Sequence, residues 1–257
     1  MSSVAGSMAS HKTTGIVIDR RDFSETSQVV CFYTREYGQV RVLAKGAKRP
    51  KSPFEGPLDL LAGGSLLFLE RRPEHLGILT AFHRTDRFDG VRRDLGRFHR
   101  SLWVCELLAR LTRERDVNEE LFRLVWEWLE RIAADGGGRL GQLAFESRCV
   151  RLLGFAPRAD RCVACERAAE GAAEAWFGAS AGGMLCGACR GSDRDAIRVS
   201  AGTLALLDNL AWGRTTDVER IRANDAALRE LRAVLSAWVT RLVGREPRIL
   251  RYLEVHA

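Results

Sequence analysis

Two cysteine pairs, Cys162-Val163-Ala164-Cys165 and Cys186-Gly187-Ala188-Cys189, constrain this chain more than any other feature. Two thiolates three positions apart turn their sulfurs to one point on a tight knuckle, and two knuckles supply the four tetrahedral ligands of Zn²⁺. The twenty residues between the pairs suit the spacing of structural zinc sites. Rival readings are a redox CxxC, a rubredoxin-like iron site and four unrelated thiols. A redox motif needs only one pair beside a strand–helix unit, which is not evident here. A closed set of four thiolates leaves no position for water or substrate, so the expected zinc is structural. The span from Glu166 to Leu185 is rich in Ala and Gly and reads as chain without a core of its own, for which the metal substitutes. Function must therefore be sought elsewhere in the chain.

The 257 residues suffice for two or three modest domains, and 46% hydrophobic with 28% charged residues describe a soluble globular protein. Met1 to Ser10 holds no apolar run of signal-peptide length, and no apolar segment is long enough to span a bilayer. A cytoplasmic protein with no membrane partner is expected. Cys31, Cys105 and Cys149 sit inside apolar patterns and read as buried thiols of a reducing compartment. A net charge of +7 and a pI near 9.3 favour an anionic partner.

From Thr13 to about Arg84 the chain reads as strands. Gly15-Ile16-Val17-Ile18 opens the first, Gln28 to Arg35 the second, and Gln39 to Gly46 the third, with Val40, Val42 and Ala44 alternating against Arg41, Leu43 and Lys45. Lys48 to Pro57 carries three prolines and reads as a loop. Leu58 to Glu70 and Leu76 to His83 complete the set, with a bend or bulge at Gly63-Gly64. Five short strands without an intervening helix predict a small barrel, OB-like or SH3-like.

Beyond Arg84 the period turns helical. Leu95, Phe98, Leu102, Cys105 and Ala109 mark one stripe. A capping box at Asp116 to Glu119 precedes a second carrying Leu121, Val125, Leu129 and Ile132. Leu140, Leu143, Ser147, Val150 and Leu153 mark a third, closed by Gly154. After the knuckles, Ser200 caps a short helix with Leu204, Leu207 and Ala211. A last helix carries Leu228, Leu231, Leu235, Trp238 and Leu242 to Gly244. Helices on either side of the knuckles are expected to pack into one helical domain.

No P-loop, GxSxG or GxGxxG pattern is present, and the histidines His11, His75, His83, His99 and His256 form no ligand or nucleophile motif. A non-enzymatic role is expected. The informative window is Gln39 to Ser52, which holds Arg41, Lys45, Lys48, Arg49 and Lys51, no carboxylate, and three of the four lysines of the chain. A charge run is often only a solvated loop. Here Arg41 and Lys45 share the outward face of one strand and the following loop extends the patch, as in grooves that track a nucleic-acid backbone. Tyr33, Tyr37 and Phe54 are near enough in sequence to stack bases or to pack as core. Arg84, Arg87, Arg92, Arg93, Arg97 and Arg100 form a second cluster, diluted by Asp86, Asp89 and Asp94.

The run from Tyr37 to Ser52, the turn Asp22-Phe23-Ser24-Glu25-Thr26-Ser27 and the segment Leu152 to Pro157 before the first knuckle resemble the bacterial RecO family of recombination mediators. The resemblance covers nearly the whole chain in order. It implies an α+β multi-domain protein: a disordered extension over 1–11, a five-stranded OB-fold barrel over 12–85, and a helical domain over 86–157 and 196–257 with an inserted four-cysteine zinc module over 158–195. It also implies binding and annealing of single-stranded DNA, with duplex DNA as a further ligand. Work with RecR, contact with the C-terminal tail of single-strand binding protein and indirect help to RecA follow from it as well, in the cytoplasm at the nucleoid. Arg41 and Lys45 fall where that family carries DNA-contacting residues, and all four knuckle cysteines are present. A zinc-containing RNA- or ribosome-associated protein is the alternative expectation.

Overall fold

The β-branched and aromatic runs of the N-terminal third form β1 (Ala9–Asp22), β2 (Gln28–Thr34), β3 (Gly38–Ala44), β4 (Gly63–Glu70) and β5 (Gly77–Arg84). In this computed structural model, which describes residues 8–54, 58–72, 75–86, 88–168, 175–213, 218 and 220–255, the five strands close into a barrel in the order β1-β2-β3-β5-β4. Neighbours run antiparallel except β3 and β5, which pair in parallel through Val42↔Gly77 and Leu43↔Ile78. That Greek-key closure is the OB-fold, and it decides against the SH3-like alternative.

The alternation expected in β3 is borne out, with Val40, Val42 and Ala44 buried and Arg41 and Lys45 exposed. The inward residues meet Val17, Val30, Phe32, Leu66, Phe68, Leu79 and Phe82 in a single core. Each such side chain contributes about 1.5–3 kcal/mol on burial, so hydrophobic packing carries this barrel.

Two expectations about the strands change. The extension expected over 1–11 gives way at Ala9, because residues from Ala9 onward pair with β4 (Ala9↔Glu70, His11↔Phe68); residues 1–7 lie outside the described residues. The bend expected at Gly63-Gly64 is instead the start of β4, preceded by buried, non-strand Leu58, Leu61 and Ala62. A Cβ on Gly64 would stand 2.1 Å from the His83 carbonyl oxygen, which requires glycine there.

The chain forms two compact units, one reaching Gly136 and the other starting at Gly137. The single helical domain expected over 86–157 and 196–257 is therefore divided. α1 (Leu95–Leu111) and α2 (Glu119–Asp135) belong with the barrel. The reason lies in the face α1 buries: Ser101, Trp103, Val104, Cys105, Leu107 and Leu108 are inside, whereas Leu95 is exposed and Phe98 and Leu102 are half-buried. Of the expected stripe only Cys105 is fully inside, within 3.9 Å of the Val17 carbonyl. Buried Gln39 of β3 donates from Nε2 to the carbonyls of Leu108 (2.9 Å) and Thr112 (3.2 Å) at the end of α1. The stripe expected in α2 is buried throughout. Its N-cap is Asn118, whose side chain accepts from the Leu121 N–H, and not Asp116 as the capping box suggested.

In the second unit α3 (Gly138–Leu152), α4 (Ala201–Trp212) and α5 (Asp225–Val243) pack on one another. Ser200 caps α4 and Gly244 ends α5 in the left-handed region at φ 77°, both as expected. A further short helix, α6 (Leu250–Val255), follows. The knuckle region is not coreless chain. β6 (Ala175–Gly178), β7 (Gly183–Cys186) and β8 (Ile197–Val199) make a sheet in the order β7-β6-β8, with β8 beyond the expected limit at 195. Phe177 of this sheet meets Trp238 of α5 edge to face at 6.1 Å.

Gly38, at φ 60°, gives one test of the first unit, because a Cβ there would stand 2.3 Å from the Asp116 carbonyl oxygen. A left-handed non-glycine residue alone costs roughly 1–3 kcal/mol, and the clash adds to it. Gly38→Ala is expected to lower the urea midpoint accordingly, with the loss read by circular dichroism; an unchanged midpoint contradicts the close approach.

Candidate nucleic-acid interface and metal centre

The four expected ligands converge. The sulfurs of Cys162, Cys165, Cys186 and Cys189 all lie within 4.8 Å of one another, the one such group of metal-binding side chains among the described residues. Cys165 and Cys186 are 3.7 Å apart. A tetrahedron with metal–sulfur bonds of about 2.3 Å sets its sulfurs about 3.8 Å apart, so the donor set fits a single ion. Local backbone explains the convergence. The first knuckle is closed by the Glu166 N–H donating to the Cys162 carbonyl at 2.9 Å, with Glu166 left-handed at φ 62°. It is tied to β7 by the Val163 N–H on the Met184 carbonyl, also at 2.9 Å. The second knuckle begins at the last residue of β7 and is closed by the Cys189 N–H on the Cys186 carbonyl, 2.9 Å.

The thiols differ in acidity. Burial disfavours the Cys162 thiolate, but backbone N–H groups aimed at its sulfur, those of Cys186, Ala164 and Cys165, outweigh it and bring its pKa down to about 6. The Cys189 N–H likewise lowers Cys186. Cys189 is pushed up to about 12 by the neighbouring sulfurs of Cys186 and Cys165. One negative sulfur thus suppresses the next, and a cation relieves that repulsion. Cys31, Cys105 and Cys149 are buried, and desolvation raises each to about 12.

The five basic residues divide. Arg41, outward on β3, is paired through Nε with Glu114 Oε1 at 2.8 Å. Lys48 donates from Nζ to Asp22 Oδ2 at 2.9 Å, and this bond holds the Asp22 carboxyl below its ordinary range. Lys45, Arg49 and Lys51 are exposed and have no carboxylate partner among the described residues. Surface pairs are weak, so Glu114 and Asp22 orient Arg41 and Lys48 without committing them. The aromatic residues do not join the patch. Tyr33 and Phe54 are buried, and Tyr37 packs edge to face against both His11 and Phe68, at 5.1 and 5.7 Å.

Sequence reasoning passes over Arg71 and Arg72, both exposed in the turn after β4; their signal is a pair of adjacent cations just past the end of a strand. The second arginine cluster is largely engaged. Arg84 bonds Asp86 and Asp89, Arg97 bonds Asp94 and the Ala133 carbonyl, and Arg100 bonds the Gly136 carbonyl. Arg87 lies outside the described residues. A groove of about 350 Å³ beside α2 includes Arg35, Arg123, Phe122 and Trp126, but Glu119 and Glu127 cancel its charge.

The sequence comparisons agree with this arrangement. A family model described as "Recombination protein O N terminal" matches residues 8–88, and one described as "Recombination protein O C terminal" matches residues 92–251. The chain belongs to the RecO family. Among curated RecO proteins, "DNA repair protein RecO" of Rhodopirellula baltica is 33% identical, over 93% of this chain and 97% of the relative. Those of Pelotomaculum thermopropionicum and Syntrophus aciditrophicus are each 29% identical over 96% of this chain, covering 94% and 96% of the relatives. The N-terminal RecO match contains all five basic residues, and the C-terminal one contains all four cysteines.

The contrast between the two sets of thiols is directly measurable. In folded, metal-stripped protein, Cys165, which is exposed, should be alkylated by iodoacetamide, with Cys31, Cys105 and Cys149 protected until denaturant is added. Peptide mass spectrometry reads the order; early labelling of Cys105 contradicts its placement under β1.

Proposed function

We propose that this RecO-family chain is a non-enzymatic mediator of DNA repair and homologous recombination that binds and anneals single-stranded DNA. In this reading it works in the cytoplasm at the nucleoid, with RecR, and helps RecA onto strands coated by single-strand binding protein, whose acidic C-terminal tail it contacts. Duplex DNA is a secondary ligand. The observation that carries the reading is the cationic edge of the OB barrel: Lys45, Arg49 and Lys51 are exposed without carboxylate partners among the described residues, flanked by Arg41 and Lys48 on single surface carboxylates. Annealing requires that phosphate repulsion be overcome while bases stay free to choose their register. Cations that neutralise one backbone from one side meet both requirements.

The metal is zinc in this reading, held by Cys162, Cys165, Cys186 and Cys189. With four sulfur donors it supplies cross-linking of the two knuckles and no reaction. Elemental analysis is expected to find one zinc per chain. Less than half an equivalent in carefully purified protein, or iron in its place, counts against it.

Single-strand binding releases counterions with a log–log salt slope of about −0.7 per phosphate neutralised. Three to five engaged side chains give a slope of roughly −2 to −3.5. Reversal of two patch cations, Arg41→Glu with Lys45→Glu, should weaken binding to all single-stranded sequences alike and slow annealing of complementary strands, while zinc content and melting stay unchanged. Titrations against single-stranded DNA, duplex DNA and RNA at several salt concentrations provide the test. A folded double reversal that binds and anneals like the parent would falsify the patch, and a preference for structured RNA overturns the DNA reading.

A further inference from the structure

We infer that Phe23, at the tip of the β1–β2 hairpin, is a base-stacking platform for single-stranded nucleic acid bound along the cationic edge; this rests on the reading just given. Phe23 is 64% exposed, the one exposed Phe, Tyr or Trp among the described barrel residues, and it makes no contact with another ring among them. It is nevertheless not on a loose tip. Its N–H donates to the Ser27 carbonyl at 3.0 Å, the Ser24 N–H donates to the same oxygen at 3.2 Å, and the Ser27 N–H donates to the Ser24 hydroxyl at 3.2 Å.

The hairpin is bonded to the basic loop at three points. The Lys48 N–H donates to the Thr26 carbonyl at 3.0 Å, the Gly46 N–H donates to the Ser27 hydroxyl at 3.3 Å, and Lys48 Nζ donates to Asp22 at 2.9 Å. The strand register agrees: Asp22↔Gln28 and Gln28↔Ala44 bring the tip to the end of β3 where Lys45 to Lys51 begin. An exposed aromatic residue thus sits on a hairpin whose backbone is tied to the loop that carries the three cations without carboxylate partners among the described residues. On the same hairpin Asp22 is already paired with Lys48 and Glu25 is acidic, so the tip adds no cation of its own. What it offers a strand is an apolar face, and the part of a strand that seeks one is a base. The β1–β2 loop is also one of the OB-fold loops that contact oligonucleotides.

Stacking and charge leave different signatures in the salt dependence of binding. Phe23→Ala is expected to weaken binding of an oligothymidine by about tenfold at every salt concentration, leaving the salt slope unchanged, because a stacked base releases no counterion. Phe23→Trp should restore binding. On a strand of the same length with abasic sites in place of bases, parent and Phe23→Ala should bind equally. Fluorescence anisotropy reads all three, with a thermal melt to confirm that each variant is folded. If Phe23→Ala binds oligothymidine like the parent while the Arg41→Glu, Lys45→Glu reversal weakens it, the platform falls and the cationic edge stands. If neither variant weakens binding, both fall. Equal weakening on the normal and abasic strands also overturns the platform, since the ring would then act through the backbone of its own loop.

Discussion

At the end of α1, where helix carbonyls run short of donors, the Leu108 carbonyl accepts from the Thr112 N–H at 3.1 Å and from a further donor that the barrel supplies. The buried amide of Gln39 spans the carbonyls of Leu108 and Thr112 and the Thr112 hydroxyl, the last at 2.6 Å. Leaving such a group unpaired in the interior costs about 1–3 kcal/mol, so β3 and α1 have one favourable register. Much of the first unit follows from it. The residues after α1 are delivered to the edge of β3, where Glu114 bridges to Gly38 and Gln39 and the Arg115 N–H donates to the Gln39 carbonyl at 3.1 Å. Arg115 turns back over the Phe68 ring and pairs with Glu70. Glu114 is thereby held beside Arg41, and the outer face of β3 is covered at one end and open at the other.

That asymmetry gives the cationic edge its character. A strand with all its outward residues covered would be scaffold, and one with none covered would be a charged surface without orientation. Here the covered end fixes Arg41 against a carboxylate, while the open end leaves Lys45 and the following loop to solvent. The four-cysteine cluster follows a different logic in its own unit. Its sheet has an apolar anchor in Phe177 on Trp238, and buried Asp193 accepts from the N–H groups of Ser180 and Ala181 at 2.7 and 3.2 Å, fixing the β6–β7 turn. The cysteines therefore clamp the end of a sheet that already has packing, which is less than the whole fold of the module.

How much is legible in the sequence depends on whether the signal is local. The alternation in β3, the Ser200 cap and the Gly244 terminus each involve a few adjacent residues, and each stands as read; each CxxC pair is local too, though only the fold brings the two pairs together. The buried face of α1 is not legible in this way, because its apolar residues nearly encircle the helix. Leu95 and Trp103 compete for the inside, and only contact with the barrel decides between them. The pairing of Arg41 with Glu114 joins residues from different elements and has no signature in either segment. In the sequence Phe23 is only part of a turn. Its exposure depends on β1 and β2 meeting beneath it, a property of the barrel and not of the hairpin sequence. Tyr33, near enough in sequence to the basic window to stack bases, is instead buried under α2, its ring 6.2 Å from Phe122.

β1 pairs with two partners at once, with β4 over Ala9 to Ile16 and with β2 over Gly15 to Asp22, and the register shift near Val17 lets one strand turn the corner between them. The order of synthesis makes that double duty a matter of timing. The half of β1 that meets β2 finds its partner as soon as the hairpin emerges from the ribosome. The first half waits for β4, whose last residue, Glu70, pairs with Ala9. Until then it is an unpaired edge with both backbone donors and acceptors exposed, the kind of edge that recruits foreign strands. The nascent barrel is open along a seam that only a sequence-distant contact can close, and such contacts are the slow ones in folding. The first half of β1 thus stays unpaired until the whole of β4 has been made.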